Sequence, residues 1–144
     1  LRPFAGVTVA TTDGYALSEF ATGSFDLTFG QGVLGYLPPN QLLGLLSEIR
    51  RVLSTGGVSV FNFLTIDDAD DAATHLATVL ELARRRRPHG GVDQAYTLAQ
   101  LEAMHAIAGL APVVSDGAPA REPGRGRIAI VARRSEDAGE SSLS

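Results

Sequence analysis

Cysteine, tryptophan and lysine are absent from the 144 residues, and methionine occurs once. The lack of cysteine excludes a disulfide framework, a thiolate zinc site and an iron–sulfur cluster. All twelve basic residues are arginine, which reads as coding bias rather than chemistry. No apolar run approaches the roughly 20 residues that cross a bilayer as a helix, so no membrane partner is expected. A net charge of −4 offers no global basic surface, and no nucleic-acid partner is expected either. The expected location is cytoplasmic. An initial methionine is missing too, since the chain starts at Leu1. It is therefore expected to be a fragment of a longer protein.

What is present suits a folded domain. Hydrophobic residues make up 44% and charged residues 19%, enough to bury a core within one domain. Val7 to Thr12 is β-branched and ends at Asp13-Gly14, which predicts a strand running into a turn. A short turn or helix is expected over Ala16 to Phe20. Phe25 to Gly30 reads as a second strand, with apolar residues at Phe25, Leu27 and Phe29. Leu42, Leu43, Leu45, Leu46, Ile49, Val52 and Leu53 then recur at helical spacing, predicting a helix from Pro39 to Ser54. Pro39 suits its first turn and Gly56-Gly57 its stop. Val58 to Leu64 follows as a nearly continuous apolar strand, the kind buried on both faces of a parallel sheet.

Strand, helix and strand joined this tightly form a βαβ unit. A second helix is expected over Asp68 to Arg87, with an acidic start and a basic end that both complement the helix dipole. Arg84 to Arg87 point all around such a helix, so they read as a solvated helix end rather than an anion site. Residues 88–96 read as a loop. Thr97 and Gln100 have the spacing of a capping box and open a third helix that ends near Gly109. Pro112 to Asp116 and Arg127 to Arg133 are two strands joined by a Pro/Gly-rich loop with no helix between, hence antiparallel. The partial domain spans residues 1–133, and a polar tail spans 134–144.

Asp13-Gly14, Gly23-Ser-Phe-Asp-Leu27, Glu48-Ile-Arg-Arg-Val-Leu53 and Gly56-Gly57 before an apolar strand resemble class I S-adenosylmethionine-dependent methyltransferases. The family's usual proline before those glycines is Thr55 here. The resemblance covers Val7 to Arg133. It implies an α/β fold, a partial Rossmann-like sheet beginning at the family's third strand and closing with an antiparallel strand pair. It also implies S-adenosyl-L-methionine as cofactor and a small-molecule methyl acceptor. The family's Gly-rich loop and the acidic residue that holds the ribose lie before the third strand and are not found in this chain. Little cofactor affinity is expected of the chain alone, and the Phe25 strand is expected at an exposed sheet edge.

The resemblance implies that Asp13 meets the adenine amino group, with Gly14 and Tyr15 on the same edge. Gly30, Gln31 and Gly32 occupy the carboxyl end of a strand, where open α/β sheets bind ligands. Small residues there let a ligand approach the backbone, and the amide can donate or accept a hydrogen bond. These six residues are the expected cofactor contacts. Asn62 and Tyr96 are substrate-side candidates, and His89 is the candidate general base. His75 and His105 lie in predicted helices and read as packing or surface residues, as do Glu48, Arg50 and Arg51. No metal site is expected. Two other functions stay open: a nicotinamide-dependent Rossmann oxidoreductase, and a non-catalytic scaffold that binds a partner through its exposed edge.

Overall fold

The computed structural model describes residues 10–13, 15–67, 69–85, 94–113 and 127–135. In chain order the elements are β1 (Phe25–Gly30), a single 3₁₀ turn (Leu34–Tyr36), α1 (Pro39–Val52) and β2 (Leu53–Thr65). They continue with α2 (Ala69–Arg84), β3 (Ala95–Tyr96), α3 (Leu98–Ile107), β4 (Leu110–Pro112) and β5 (Arg127–Arg134).

The sheet is ordered β1-β2-β5-β4, with the short β3 paired to the end of β2. β1 and β2 are parallel, as two strands bridged by a helix must be when they are neighbours. β5 returns antiparallel along β2 from Val58 to Leu64, and β4 pairs antiparallel with β5. A mixed sheet of this kind, parallel at one side and antiparallel at the other, is the Rossmann-like arrangement expected from the sequence.

α1 begins with Pro39 in its first turn and buries Leu42, Leu45, Leu46, Ile49 and Val52. Its end differs from expectation. The helix stops at Val52 because Leu53 is already extended (φ −70°, ψ 139°), four residues before the expected break around Gly56-Gly57. Those glycines instead sit in a bulge of β2, where Leu53 pairs with Phe25 and Val58 with Leu27. Gly56 takes φ +76° there, a conformation that favours glycine.

β2 is the spine of the core. Its buried Phe61 and Phe63 join Leu34, Leu42, Leu46, Leu101 and Leu110 in one cluster. α3 opens with the expected capping box: Thr97 accepts from the Gln100 amide, and the Gln100 side chain accepts from the Thr97 amide. Asp67 adds a second clasp, its carboxylate accepting from the Leu98 amide at 2.9 Å.

Four expectations shift. Residues 10–12 form no strand, and 7–9 lie outside the described residues. The strand expected from Pro112 begins earlier, at Leu110, because Gly109 (φ +75°) turns the chain directly out of α3; β4 runs to Pro112, and residues 114–116 lie outside the described residues. The expected loop before Thr97 contains β3, whose Tyr96 pairs with Thr65 of β2. β5 also runs one residue into the segment expected as tail, through Arg134. No helix among the described residues is long and apolar enough to cross a membrane.

β1 is the strand that departs most from its apolar sequence. It pairs only with β2 among the described strands, and Leu27 and Phe29 are 59% and 70% exposed.

Candidate functional site

Parallel strands end on the same side of a sheet, so the carboxyl ends of β1 and β2 form a common edge. β1 ends at Gly30, and the chain then bends through Gln31 and Gly32. Gly30 pairs with Phe61 in the ladder, and a Cβ on Gly30 would stand 2.5 Å from Phe61 Cε1. The missing side chain at Gly30 is thus filled by a phenyl ring. Gly32 is different. It takes φ +67°, and a Cβ there would meet nothing within 4 Å.

The residue after Phe61 holds this bend in place. Asn62 Oδ1 accepts a hydrogen bond from the Gly32 amide at 2.6 Å. That bond answers a backbone donor that has left the strand ladder, and it fixes the left-handed turn. Gln31, between the two glycines, is exposed and makes no hydrogen bond among the described residues. Its amide is therefore displayed on open space at the strand edge, fit to donate to or accept from a bound molecule.

Tyr96 reaches the same edge through β3, but its hydroxyl is committed. It donates to the Leu37 carbonyl at 2.6 Å, and burial pushes the phenol's pKa up. The Gln94 amide donates to the Gly35 carbonyl nearby. Together these bonds tie β3 to the 3₁₀ turn that follows Gly32.

Asp13 forms a tight turn of its own. Its Oδ1 accepts from the Tyr15 and Ala16 amides, each at 2.8 Å. Those bonds, Ala16 foremost, hold its carboxyl below the ordinary range, so it is ionised at neutral pH. Tyr15 is half exposed. No hydrogen bond joins Asp13 or Tyr15 to the Gly30–Asn62 group among the described residues. Gly14 and His89 lie outside the described residues.

The sequence reading placed Glu48 and Arg51 among packing residues and missed what they grip. Arg51 donates to Glu48 and also to the Phe20 and Leu17 carbonyls, at 2.9 and 2.8 Å. Glu48 accepts from Arg51 and from the Leu17 amide. The Arg51 contact, with the Leu17 amide second, lowers the Glu48 pKa to about 2. This pair clasps residues 17–20 to α1, downstream of Asp13. Both stand in the Glu48–Leu53 run that carried the resemblance, but their three-residue spacing on one helix does not announce the residues they grip.

Among the described residues no three His, Cys, Asp or Glu side chains gather as metal ligands. The residues at the strand edge do fit a bulky polar cofactor in one respect: Gly32 leaves its Cβ direction empty beside an unengaged amide.

Residues 2–61 match a family model described as a methyltransferase domain. Solved structures share the fold. One is a SAM-dependent methyltransferase from Methanosarcina mazei, 16% identical, TM-score 0.65, covering 88% of this chain and 66% of that one. Another is 1,6-didemethyltoxoflavin-N1-methyltransferase from Burkholderia thailandensis, with bound 1,6-didemethyltoxoflavin and S-adenosylhomocysteine. It is 18% identical, with TM-score 0.56, over 81% of this chain and 46% of that one. A third is magnesium protoporphyrin IX methyltransferase from Synechocystis, with S-adenosylhomocysteine bound, at 14% identity and TM-score 0.58, over 88% and 50%. The chain thus spans less than two thirds of each of these structures. No curated protein sequence matches it significantly.

Proposed function

We propose, from the class I methyltransferase fold and the methyltransferase-domain match over residues 2–61, that the protein transfers a methyl group from S-adenosyl-L-methionine to a small-molecule acceptor. The observation that carries this reading is the strand edge itself. A left-handed Gly32 pinned by Asn62 and an unengaged Gln31 stand where parallel α/β sheets receive their ligands.

Gln31 and the Gly32 backbone would hold the donor's polar end, and Asp13 and Tyr15 its base. The cofactor, when bound, supplies a methyl group activated by a positively charged sulfur. The protein's part is to hold an acceptor in line at near-attack distance, an arrangement worth roughly 7–11 kcal/mol of barrier. A general base enters only where the acceptor must lose a proton, and His89 is the candidate for that step. Tyr96, its hydroxyl held by Leu37, would shape the acceptor side rather than move a proton.

We further read the chain as having little cofactor affinity of its own, and its place of action as the cytoplasm. The low affinity is supported by β1, which pairs only with β2 among the described strands. A scaffold that binds a partner through β1 is the second reading, favoured by the exposed Leu27 and Phe29.

The test uses calorimetric titration with S-adenosylhomocysteine. Binding of the 144-residue chain should be weaker than micromolar, and micromolar affinity would refute the partial-site reading. In methyl-transfer assays of the protein encoded by the complete reading frame, Gln31→Ala should weaken donor or acceptor binding about tenfold. Its melting temperature should not change. Unaltered kinetics would remove Gln31 from the site.

A further inference from the structure

Asp13 spends one of its two carboxylate oxygens on its own turn. Oδ1 accepts from the Tyr15 and Ala16 amides, while Oδ2 accepts no hydrogen bond from another of the described residues. The side chain is exposed, so Oδ2 is open to a donor from outside the chain. The next amide along goes elsewhere: Leu17 N–H donates to Glu48 Oε2 at 3.0 Å. The peptide held by Asp13 and the peptide held by Glu48 therefore meet at a single atom, the Ala16 α-carbon.

Arg51 completes the second hold. Its planar guanidinium donates through Nε and Nη2 to Glu48, through Nη2 again to the Leu17 carbonyl, and through Nη1 to the Phe20 carbonyl. An ion pair that only decorated a helix would satisfy itself, as the side chains of Glu81 and Arg85 do. This one turns outward and takes both peptide groups of Leu17. It also stands at the end of α1, where Leu53 leads straight into β2. The same β2 carries Asn62, which pins the Gly32 turn. The Asp13 turn is thus held in register with the unit that fixes Gly32.

We propose that Glu48 and Arg51 are positioning residues for Asp13, gripping Leu17 so that Asp13 Oδ2 stands ready to accept from the amino group of an adenine base. The inference rests on the reading of Asp13 as the donor's base contact. Lysine cannot replace Arg51 in this role, because an ammonium keeps the charge but lacks the fork. The Asp13 turn would then keep its own two bonds and lose its register against α1.

The experiment is calorimetric titration of the protein encoded by the complete reading frame. The ligands are S-adenosylhomocysteine and its analogue in which hydrogen replaces the amino group of the base. Circular dichroism confirms that each variant is folded. Wild type should prefer the amino-bearing ligand about tenfold, the worth of one hydrogen bond to a charged group. Arg51→Lys should erase most of that preference by weakening the amino-bearing ligand alone. Glu48→Gln, a milder change, should erase part of it. Asp13→Asn should abolish the preference, and adding Arg51→Lys to it should change neither affinity further. No binding by wild type overturns the donor reading and this inference together. Binding without the preference overturns the Asp13 contact, and the inference with it. A preference that survives both clasp variants overturns the positioning role alone. So does an equal loss of both ligands, the result that a purely structural pair would give.

Discussion

Lowering the pH from about 8 to about 5 crosses the range in which an ordinary imidazole gains its proton, and His105 is not placed to accept one. The side chain is 1% exposed. Nδ1 donates to the Leu101 carbonyl at 2.7 Å, which fixes the tautomer and leaves Nε2 as the only seat for a second proton. Nε2 is buried without a hydrogen-bond partner, and the Phe63 ring stands edge-on at a centroid distance of 5.8 Å. Burial therefore lowers the folded-state pKa below the ordinary 6.5, outweighing the Leu101 bond. The unfolded chain takes up a proton near pH ~6.5 that the folded chain refuses, so stability falls as the pH drops below that value. The slope approaches about 1.4 kcal/mol per pH unit for one proton and flattens once the folded pKa is passed. Against a total of roughly 5–15 kcal/mol, one unit of that slope is easily measured. Urea unfolding followed by circular dichroism, at about pH 8, 7, 6 and 5, reads it directly. Wild type should lose stability below pH ~6.5, and His105→Phe should lose much less, whatever its stability at pH ~8. His75 and His89 are common to both proteins and cancel in the difference. Parallel pH curves for the two proteins would refute the reasoning.

The other predictions follow from the strand edge and the α1 clasp. Gly30→Ala would place a Cβ 2.5 Å from the Phe61 ring, and repacking should cost about 1–3 kcal/mol in urea unfolding. Adding Phe61→Leu should return part of that loss. Asn62→Leu leaves the Gly32 amide without its acceptor at a part-buried position, costing about 1–3 kcal/mol. It should also weaken donor binding, whereas Asn62→Asp keeps the acceptor and should bind nearly as wild type. Glu48 has its carboxyl held down at about pH 2, so its contribution is present above pH 4.5 and fades between the two values as pH falls. Glu48→Gln should remove that acid-range component and speed amide exchange at Leu17, measured by hydrogen exchange.

Periodicity carried most of the fold. α1 and the β1–α1–β2 order were legible because Leu42, Leu46, Ile49 and Val52 repeat at helical spacing between two apolar runs. The capping box at Thr97 was legible because its chemistry is local. Where the reading slipped, a nonlocal partner decided the outcome. Leu53 leaves α1 early because it pairs with Phe25, across a bulge that no spacing in the sequence announces. Val113 was expected mid-strand, yet β4 ends at Pro112 and starts at Leu110, since the turn at Gly109 launches it sooner. β1 was expected at an exposed edge and stands at one among the described strands, with Leu27 and Phe29 exposed, since apolar alternation states only what a strand would bury given a neighbour.

The same distinction runs through the strand edge. Gly30, Gln31 and Gly32 look alike in sequence, a run of small residues interrupted by one amide. Two consecutive residues of β2 separate them. Phe61 fills the space over Gly30, which makes that glycine a packing requirement. Asn62, pointing to the opposite face as the next strand residue must, takes the Gly32 amide and makes that glycine a conformational one. Gln31 is left between two positions that β2 has already fixed, with its own side chain unengaged. Its backbone is held on both sides and its amide need break no bond, so meeting a ligand costs only the ordering of one side chain, about 0.5–1.5 kcal/mol. That economy, rather than the smallness of its neighbours, is the reason to place recognition at Gln31.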